Sequence, residues 1–289
     1  MIRQYAKLLR VNQWVKNGFL FLPIFFDKQL LNLETLTYNF LGAFAFAFAS
    51  SVVYIINDYF DREKDKLHPK KKFRPIASGA IKPRVAFGVA FLCLAISAGL
   101  IYTIQSFEFA IVLGIYLILN VLYSSWLKHV SLLDIFILAF GYVLRVYAGG
   151  FATNIAPSEW LILMSLLLAL FLALAKRRDD VILFEKSGTK ARKAIDGYNE
   201  SFFNTALSML GGILVVTYSI YVLSAETQQR FQSDFLYLTV IFILAGVLRY
   251  IQITLVEHDS GSPVKLLYSD RFLQVTIFFW LLSLFLIIY

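Results

Sequence analysis

This sequence has little of what soluble enzymes commonly use for chemistry. Its 289 residues include one cysteine and three histidines. Cys93 lies inside an apolar run, so no intrachain disulfide exists and the thiol reads as a small buried hydrophobe. His68, His129 and His258 are scattered, which argues against a histidine-based zinc site. Charge is also scarce: Asp, Glu, Lys and Arg make up 16% of the chain, where a soluble domain carries about a quarter. No inserted soluble domain is visible between the apolar runs. The first residues, with Arg3, Lys7, Arg10 and Lys16, are not followed by an obvious small-residue cleavage site, so a removable signal is not expected.

Hydrocarbon is abundant. The chain is 59% hydrophobic with a mean hydropathy of +0.69. A helix needs about 20 mostly apolar residues to cross a bilayer. Nine stretches qualify: 17–33, 37–57, 84–104, 108–126, 131–152, 158–176, 203–224, 234–255 and 270–289. The first is interrupted by Pro23 and Asp27. The runs are too long and too uniform for the alternating strands of a membrane barrel. The expectation is an all-α bundle of nine transmembrane helices forming a single domain, 1–289. Placing the N-terminus in the cytoplasm puts 24 of the 27 Lys and Arg inside, leaving Lys28 and Arg230 outside and Arg145 within a span. By the positive-inside rule the C-terminus is then outside, in a multi-pass protein of the inner (plasma) membrane. The net charge of +8 follows this topology and is no sign of nucleic-acid binding.

One polar stretch, YIINDYFDREKDKLHPKKKFRPIASG at 54–79, stands between two apolar runs. Asp58, Asp61 and Asp65 are separated by three and four residues, which puts them on one face if the helix continues. The C-terminal end of a helix carries the negative pole of its dipole and is a poor place for bare anions. A divalent cation among them resolves the conflict, and Mg2+ takes oxygen ligands together with substrate phosphates. Lys66, His68, Lys70, Lys71, Lys72 and Arg74 follow at once. Acids for a metal and bases for phosphate suit a Mg2+–diphosphate substrate, although a basic juxtamembrane run also serves as a simple anchor.

Four other places concentrate polar groups. Lys16 and Asn17 precede the first run as substrate-contact candidates, while Trp14 reads as an interfacial anchor. Tyr123 and Lys128 end the fourth span, where a lysine can also cap the helix. Asp134 and Arg145 are eleven residues apart on roughly one face of the fifth span, and the arginine needs a carboxylate or an anionic ligand. Lys176, Arg177, Arg178, Asp179 and Asp180 end the sixth span, followed by a loop from Gly188 that is expected to be mobile.

These residues resemble those of a known family. NDYFDREKD matches the NDxxDxxxD motif of the UbiA superfamily of intramembrane prenyltransferases. NQWVKN, HPKKKFRPIASG, LRVYAGG and KRR narrow the resemblance to its polyprenyl-phosphate phosphoribosyltransferases, of decaprenyl-phosphate type, over nearly the whole chain. The resemblance implies a glycosyltransferase that moves 5-phosphoribosyl from 5-phosphoribosyl diphosphate (PRPP) to a polyprenyl phosphate at the cytoplasmic face. Carried onto this sequence, Asp58, Asp61 and Asp65 would hold Mg2+, helped by Asn57. Lys16, Lys72, Arg74, Lys128, Lys176 and Arg177 would meet phosphate oxygens, with Tyr123, Arg145, Asp179 and Asp180 completing the set. A typical aromatic prenyltransferase of the superfamily has a second DxxxD motif where KRRDD stands here, which favours the phosphoribosyl reading. The alternative is transfer of a prenyl group from a prenyl diphosphate to an aromatic acceptor. Val11 departs from the proline that relatives usually carry before the QW pair.

Overall fold

The structure is a computed structural model that describes residues 2–67, 71–187, 193–258 and 262–289. His68, Lys70, the loop beginning at Gly188 and Gly261 lie outside the described residues. Among the described residues eight helices are long and apolar enough to cross a membrane, and the chain is a multi-pass membrane protein. They are α1 Leu33–Phe60, α2 Pro83–Ile104, α3 Phe107–Ser125, α4 Leu133–Thr153, α5 Glu159–Ser187, α6 Glu200–Leu223, α7 Val240–Gln252 and α8 Arg271–Ile288. A 3-10 turn at Phe235–Thr239 and a π-helical turn at Ile253–Glu257 extend α7 to membrane-spanning length.

The expected first span, 17–33, is not one long helix. It is replaced by a 3-10 helix at Val11–Phe21 and a short α-helix at Leu22–Phe26, with Pro23 in the first turn of the latter. Asn12, Asn17 and Gly18 are weak helix formers, and Pro23 lacks the donor that a continuing ladder would use. The tighter winding compensates in length: at about 2.0 and 1.5 Å per residue, 11–26 still extends about 30 Å, a bilayer core's thickness. Helix α5 runs eleven residues beyond its expected end at 176, so KRRDD lies within the helix rather than in a loop. The connection after α7 contains a helix of its own, Pro263–Ser269.

Polar residues start the helices where the sequence supplies them. Asn32 Oδ1 accepts from the amides of Glu34 (3.0 Å) and Thr35 (3.2 Å) to cap α1. Ser106, Asn199 and Asp270 do the same for α3, α6 and α8. Each such cap contributes about 1 kcal/mol.

The chain forms two compact units, and α4 belongs to both. The first comprises 1–128 and 143–157. Its core gathers Leu20, Phe46, Phe109, Leu113, Leu144 and Ala148. A neighbouring cluster of Leu8, Ile55, Ile76, Ile81 and Ala86 ties the start of the chain and the polar stretch to α1. Lipid offers no hydrophobic force between helices, so close approach of small residues holds them together. Ser97 on α2 accordingly donates to the Ala45 carbonyl on α1 (2.9 Å). Gly149 in the LRVYAGG segment admits the backbone of Leu20, because a Cβ there would sit 2.0 Å from the Leu20 carbonyl oxygen.

The second unit comprises 129–142 and 158–289. Ile135, Phe171, Leu174, Phe203, Leu207, Tyr250 and Ile253 form its core from α4, α5, α6 and the α7 segment. Outward-facing residues such as Phe91, Leu92, Phe278 and Leu286 are exposed and apolar, as a lipid-contacting surface requires.

Candidate functional site

In the first unit, α1 ends at Phe60 and Asp61 takes the C-cap position. A separate short helix, Arg62–Leu67, follows, so the expected single continuous helix is broken at Asp61. The backbone stays nearly helical across the break, with Asp61 N bonded to Asn57 O and Asp65 N to Asp61 O. That keeps Asp58 and Asp65 on a common side, both about 97–98% enclosed. A 3-10 turn at Lys71–Phe73 then brings Arg74 back to them.

Arg74 Nη1 lies 2.6 Å from Asp65 Oδ2 and 3.1 Å from Asp58 Oδ1, so one guanidinium nitrogen bridges two carboxylates. Arg10 donates its Nη2 to the same Asp58 oxygen. The Arg10 guanidinium also stacks 4.7 Å above the Tyr54 ring, and its backbone is left-handed (φ 50°) where the N-terminal helix gives way to the 3-10 segment. Lys128, buried beyond the end of α3, places Nζ 2.8 Å from Asp61 Oδ1. The three acids therefore pair with three bases instead of converging on one point. Among the described residues no three His, Cys, Asp or Glu side chains gather into a metal site.

The donor set still fits Mg2+. Its oxygens are hard, and Mg2+ is usually held by one or two protein carboxylates plus substrate phosphates instead of an all-protein cage. The bases that now occupy the carboxylates are charge-assisted donors of the kind that grips phosphate.

The remaining candidates of this unit separate in character. Asn57 is half-buried beside Asp58, and Lys16 is half-buried next to Asn17. Tyr123 is buried, and Lys72 is exposed with its ammonium 5.2 Å over the Phe73 ring. Arg145 is buried within α4. Its Nε donates to Asn17 Oδ1 (3.0 Å) and its Nη2 to the Tyr116 hydroxyl (3.1 Å). The rings of Phe46 and Tyr116 stack on the same guanidinium, at 4.9 and 4.8 Å. The Trp14 indole donates to Ser51 Oγ (3.1 Å) and packs edge-on against Phe48, which ties the start of the chain to α1.

In the second unit, Arg177 is almost fully enclosed. It donates to Asp134 Oδ2 (2.5 Å) and Asp180 Oδ2 (2.8 Å). Tyr198 donates to the other Asp134 oxygen (2.8 Å) and accepts from the Leu132 amide (2.5 Å). Burial and the neighbouring carboxylate hold the Tyr198 phenol well above its ordinary range, so it stays a neutral donor. Lys176, Asp179 and Asp180 are half-buried on the same helix. Arg178 points elsewhere, as consecutive helical residues do. It is the largest fully buried side chain, bonded to Asn204 Oδ1 (2.7 Å), Glu200 Oε1 (2.5 Å) and the Thr254 carbonyl (2.5 Å). Arg178 thereby fastens α5 to α6 and to the π-helical turn.

Sequence reasoning missed Arg10, counted only as one of four N-terminal bases. It also missed Tyr198 and the structural part of Arg178. A usable signal for Arg10 was the excess of buried acid: one nearby arginine cannot neutralise Asp58 and Asp65 together.

Membrane-spanning helices that carry buried acid–base pairs in each unit define the class as a polytopic, all-α membrane protein. The model of the UbiA prenyltransferase family matches residues 28–284, and the chain belongs to that family. It is similar to the decaprenyl-phosphate phosphoribosyltransferase of Corynebacterium glutamicum, 30% identical over 286 residues that cover 98% of this chain and 86% of that one. The enzyme of the same name from Mycolicibacterium smegmatis is also 30% identical, covering 97% and 91%. The fold is similar to that of a UbiA homologue from Archaeoglobus fulgidus bound to GPP and Mg2+, with a TM-score of 0.72, 22% identity and 99% of each chain covered.

Proposed function

We propose that this chain is a Mg2+-dependent glycosyltransferase that moves the 5-phosphoribosyl group of PRPP onto a polyprenyl phosphate and releases diphosphate. The observation that carries the reading is the pairing of Asp58, Asp61 and Asp65 with the fixed bases Arg10, Arg74 and Lys128. Acids suited to a metal and bases suited to phosphate beside each other support that reading. The names of the two bacterial relatives support a polyprenyl-phosphate acceptor and a phosphoribosyl group as what is transferred. The family model runs through both units, which supports reading 1–289 as one transferase domain.

In this reading a lipid phosphate oxygen attacks C1′ of the ribose, and the bond from C1′ to diphosphate breaks with its electron pair leaving on diphosphate. The nucleophile is already an anion, so no side chain has to take a proton from it. That agrees with the described pairs of Asp58, Asp61 and Asp65, whose partners are Arg10, Arg74 and Lys128. Asp58, Asp61 and Asp65, with Asn57, would hold Mg2+, which when bound stabilises the charge growing on the leaving diphosphate. Arg10, Arg74 and Lys128 hold phosphate oxygens in fixed positions, so little reorganisation is needed as charge develops. Lys16 and Lys72 extend this basic set, and Tyr123 closes it near Lys128. Arg145 acts by fixing Asn17, and hence the backbone that carries Lys16. Lys176, Arg177, Asp179 and Asp180 provide a second acid–base set of the same chemistry, held in register by Asp134 and Tyr198. The charge distribution along the sequence supports a cytoplasmic N-terminus and site, an outer C-terminus and residence in the inner membrane.

The test is direct. Purified protein in detergent with Mg2+ is given ribose-labelled PRPP and a polyprenyl phosphate. Label should pass into the organic phase, and a chelator should stop it. Label that stays in the aqueous phase at every Mg2+ concentration refutes the assignment.

A further inference from the structure

The three aspartates carry an obstacle to a bare metal ion. Arg74 Nη1 stands within 3.1 Å of Asp58 Oδ1 and 2.6 Å of Asp65 Oδ2, the bridging place that a cation between those oxygens would take. Arg10 holds the same Asp58 oxygen from another side. Asp58 and Asp65 are 2% and 3% exposed, and Mg2+ cannot take Asp58 Oδ1 and Asp65 Oδ2 together while the guanidinium bridges those two oxygens. Asp61, whose side chain is 24% exposed, is held on one oxygen by Lys128 Nζ at 2.8 Å.

We infer that Arg74, with Arg10 and Lys128, keeps the aspartates closed to free Mg2+ and opens them only to Mg2+ that arrives with a diphosphate. Mg2+ needs its oxygens at about 2.0–2.1 Å and gives up water reluctantly. It cannot share a carboxylate pair with a guanidinium lodged between them. A displaced guanidinium in turn needs an anion, and a phosphate oxygen pair matches its fork. The exchange conserves charge: each base passes from carboxylate to phosphate, and each carboxylate passes from base to metal. Neither half proceeds well alone, so metal and diphosphate enter together.

This rests on the Mg2+–diphosphate reading of the site but does not need PRPP to be the donor. The experiment therefore uses Mg2+ alone and Mg2+ with inorganic pyrophosphate, which has no ribose. Binding to detergent-purified protein is followed by titration calorimetry at controlled free Mg2+, for the natural protein and for Arg74→Gln. The natural protein should show saturable binding of Mg2+ with pyrophosphate and none of Mg2+ alone over the same range. Arg74→Gln should change the two ligands in opposite directions. Bare Mg2+ should bind about tenfold tighter or more, the low end of what a hydrogen bond to a charged group contributes. Pyrophosphate should bind more weakly.

Lys128→Gln, which uncovers Asp61, is expected to show the same opposed changes and serves if Arg74→Gln does not fold. Free Mg2+ binding to the natural protein as tightly as with pyrophosphate overturns the inference and leaves the site reading intact. Mg2+ alone that still fails to bind in both variants overturns it as well. Binding of neither ligand overturns the inference together with the site reading. Failure of PRPP transfer alone changes neither expectation.

Discussion

Asp61 and Lys128 form a pair whose two members are buried to different extents, and the difference predicts an asymmetry. The side chain of Lys128 is 9% exposed and that of Asp61 24%. Asp61→Asn removes the counter-charge from the more enclosed partner. Breaking a fully buried pair costs about 3–5 kcal/mol. Water that reaches the exposed quarter of residue 61 reduces the expectation to about 1–3 kcal/mol. Lys128→Met leaves the better-solvated carboxylate behind, at about 1 kcal/mol or less. For a chain this long, each kcal/mol moves the melting midpoint by about 2 °C. Asp61→Asn should therefore lower the midpoint by about 2–6 °C, and Lys128→Met by no more than about 2 °C. The double variant should recover much of the Asp61→Asn loss, because a neutral pair replaces an orphaned ammonium. Thermal melts of the four proteins in one detergent measure all three quantities. Lys128→Met proving the more damaging, or the two effects simply adding, would show that the pair is not coupled as described. Asp61→Asn should also abolish Mg2+-dependent turnover, and full activity in that variant would remove Asp61 from the metal set.

Three further outcomes are expected. Arg178→Met removes the guanidinium that holds Asn204, Glu200 and the Thr254 carbonyl; it should cost about 3 kcal/mol or more and show as loss of the monodisperse peak in size-exclusion chromatography. Gly149→Ala forces a methyl group against the Leu20 carbonyl and should cost at least about 1–3 kcal/mol in a melt, whereas Gly18→Ala, with nothing within 4 Å, should not. Arg249 beside Asp270 holds that carboxyl below its ordinary range. Its folded value lies below the unfolded value of about 3.9, so its stabilisation is complete above about pH 4 and disappears as the pH falls through the folded value. Midpoints measured against pH should fall more steeply below pH 4 in the natural protein than in Asp270→Asn, which keeps a good helix cap.

Much of this was legible because membranes make sequence patterns blunt. Eight of nine expected spans are helices, seven of them within a few residues of their expected bounds and α5 eleven residues longer, since a helix in lipid must be long, apolar and satisfied by its own hydrogen bonds. The ninth, 17–33, misled because hydropathy measures apolarity and not winding. Pro23, Gly18 and the two asparagines were the local signs that a regular helix would not form there. Asp58, Asp61, Asp65, Arg74 and Lys128 were legible as chemistry because ionised groups at membrane depth are rare. Which acid meets which base was not legible. Arg10 lies 48 residues from Asp58, and Asp134 lies 43 from Arg177. Such pairings are set by packing across helices, and helical periodicity describes only one helix at a time.

The central claim is the identity of the donor, and one comparison decides it. Purified protein with Mg2+ is offered labelled PRPP with a polyprenyl phosphate in one vessel, and a labelled prenyl diphosphate with 4-hydroxybenzoate in another. The account predicts a Mg2+-dependent labelled lipid in the first vessel and none in the second. Product in the second vessel alone would contradict it, and would place this chain among the aromatic prenyltransferases despite the Lys176–Asp180 segment.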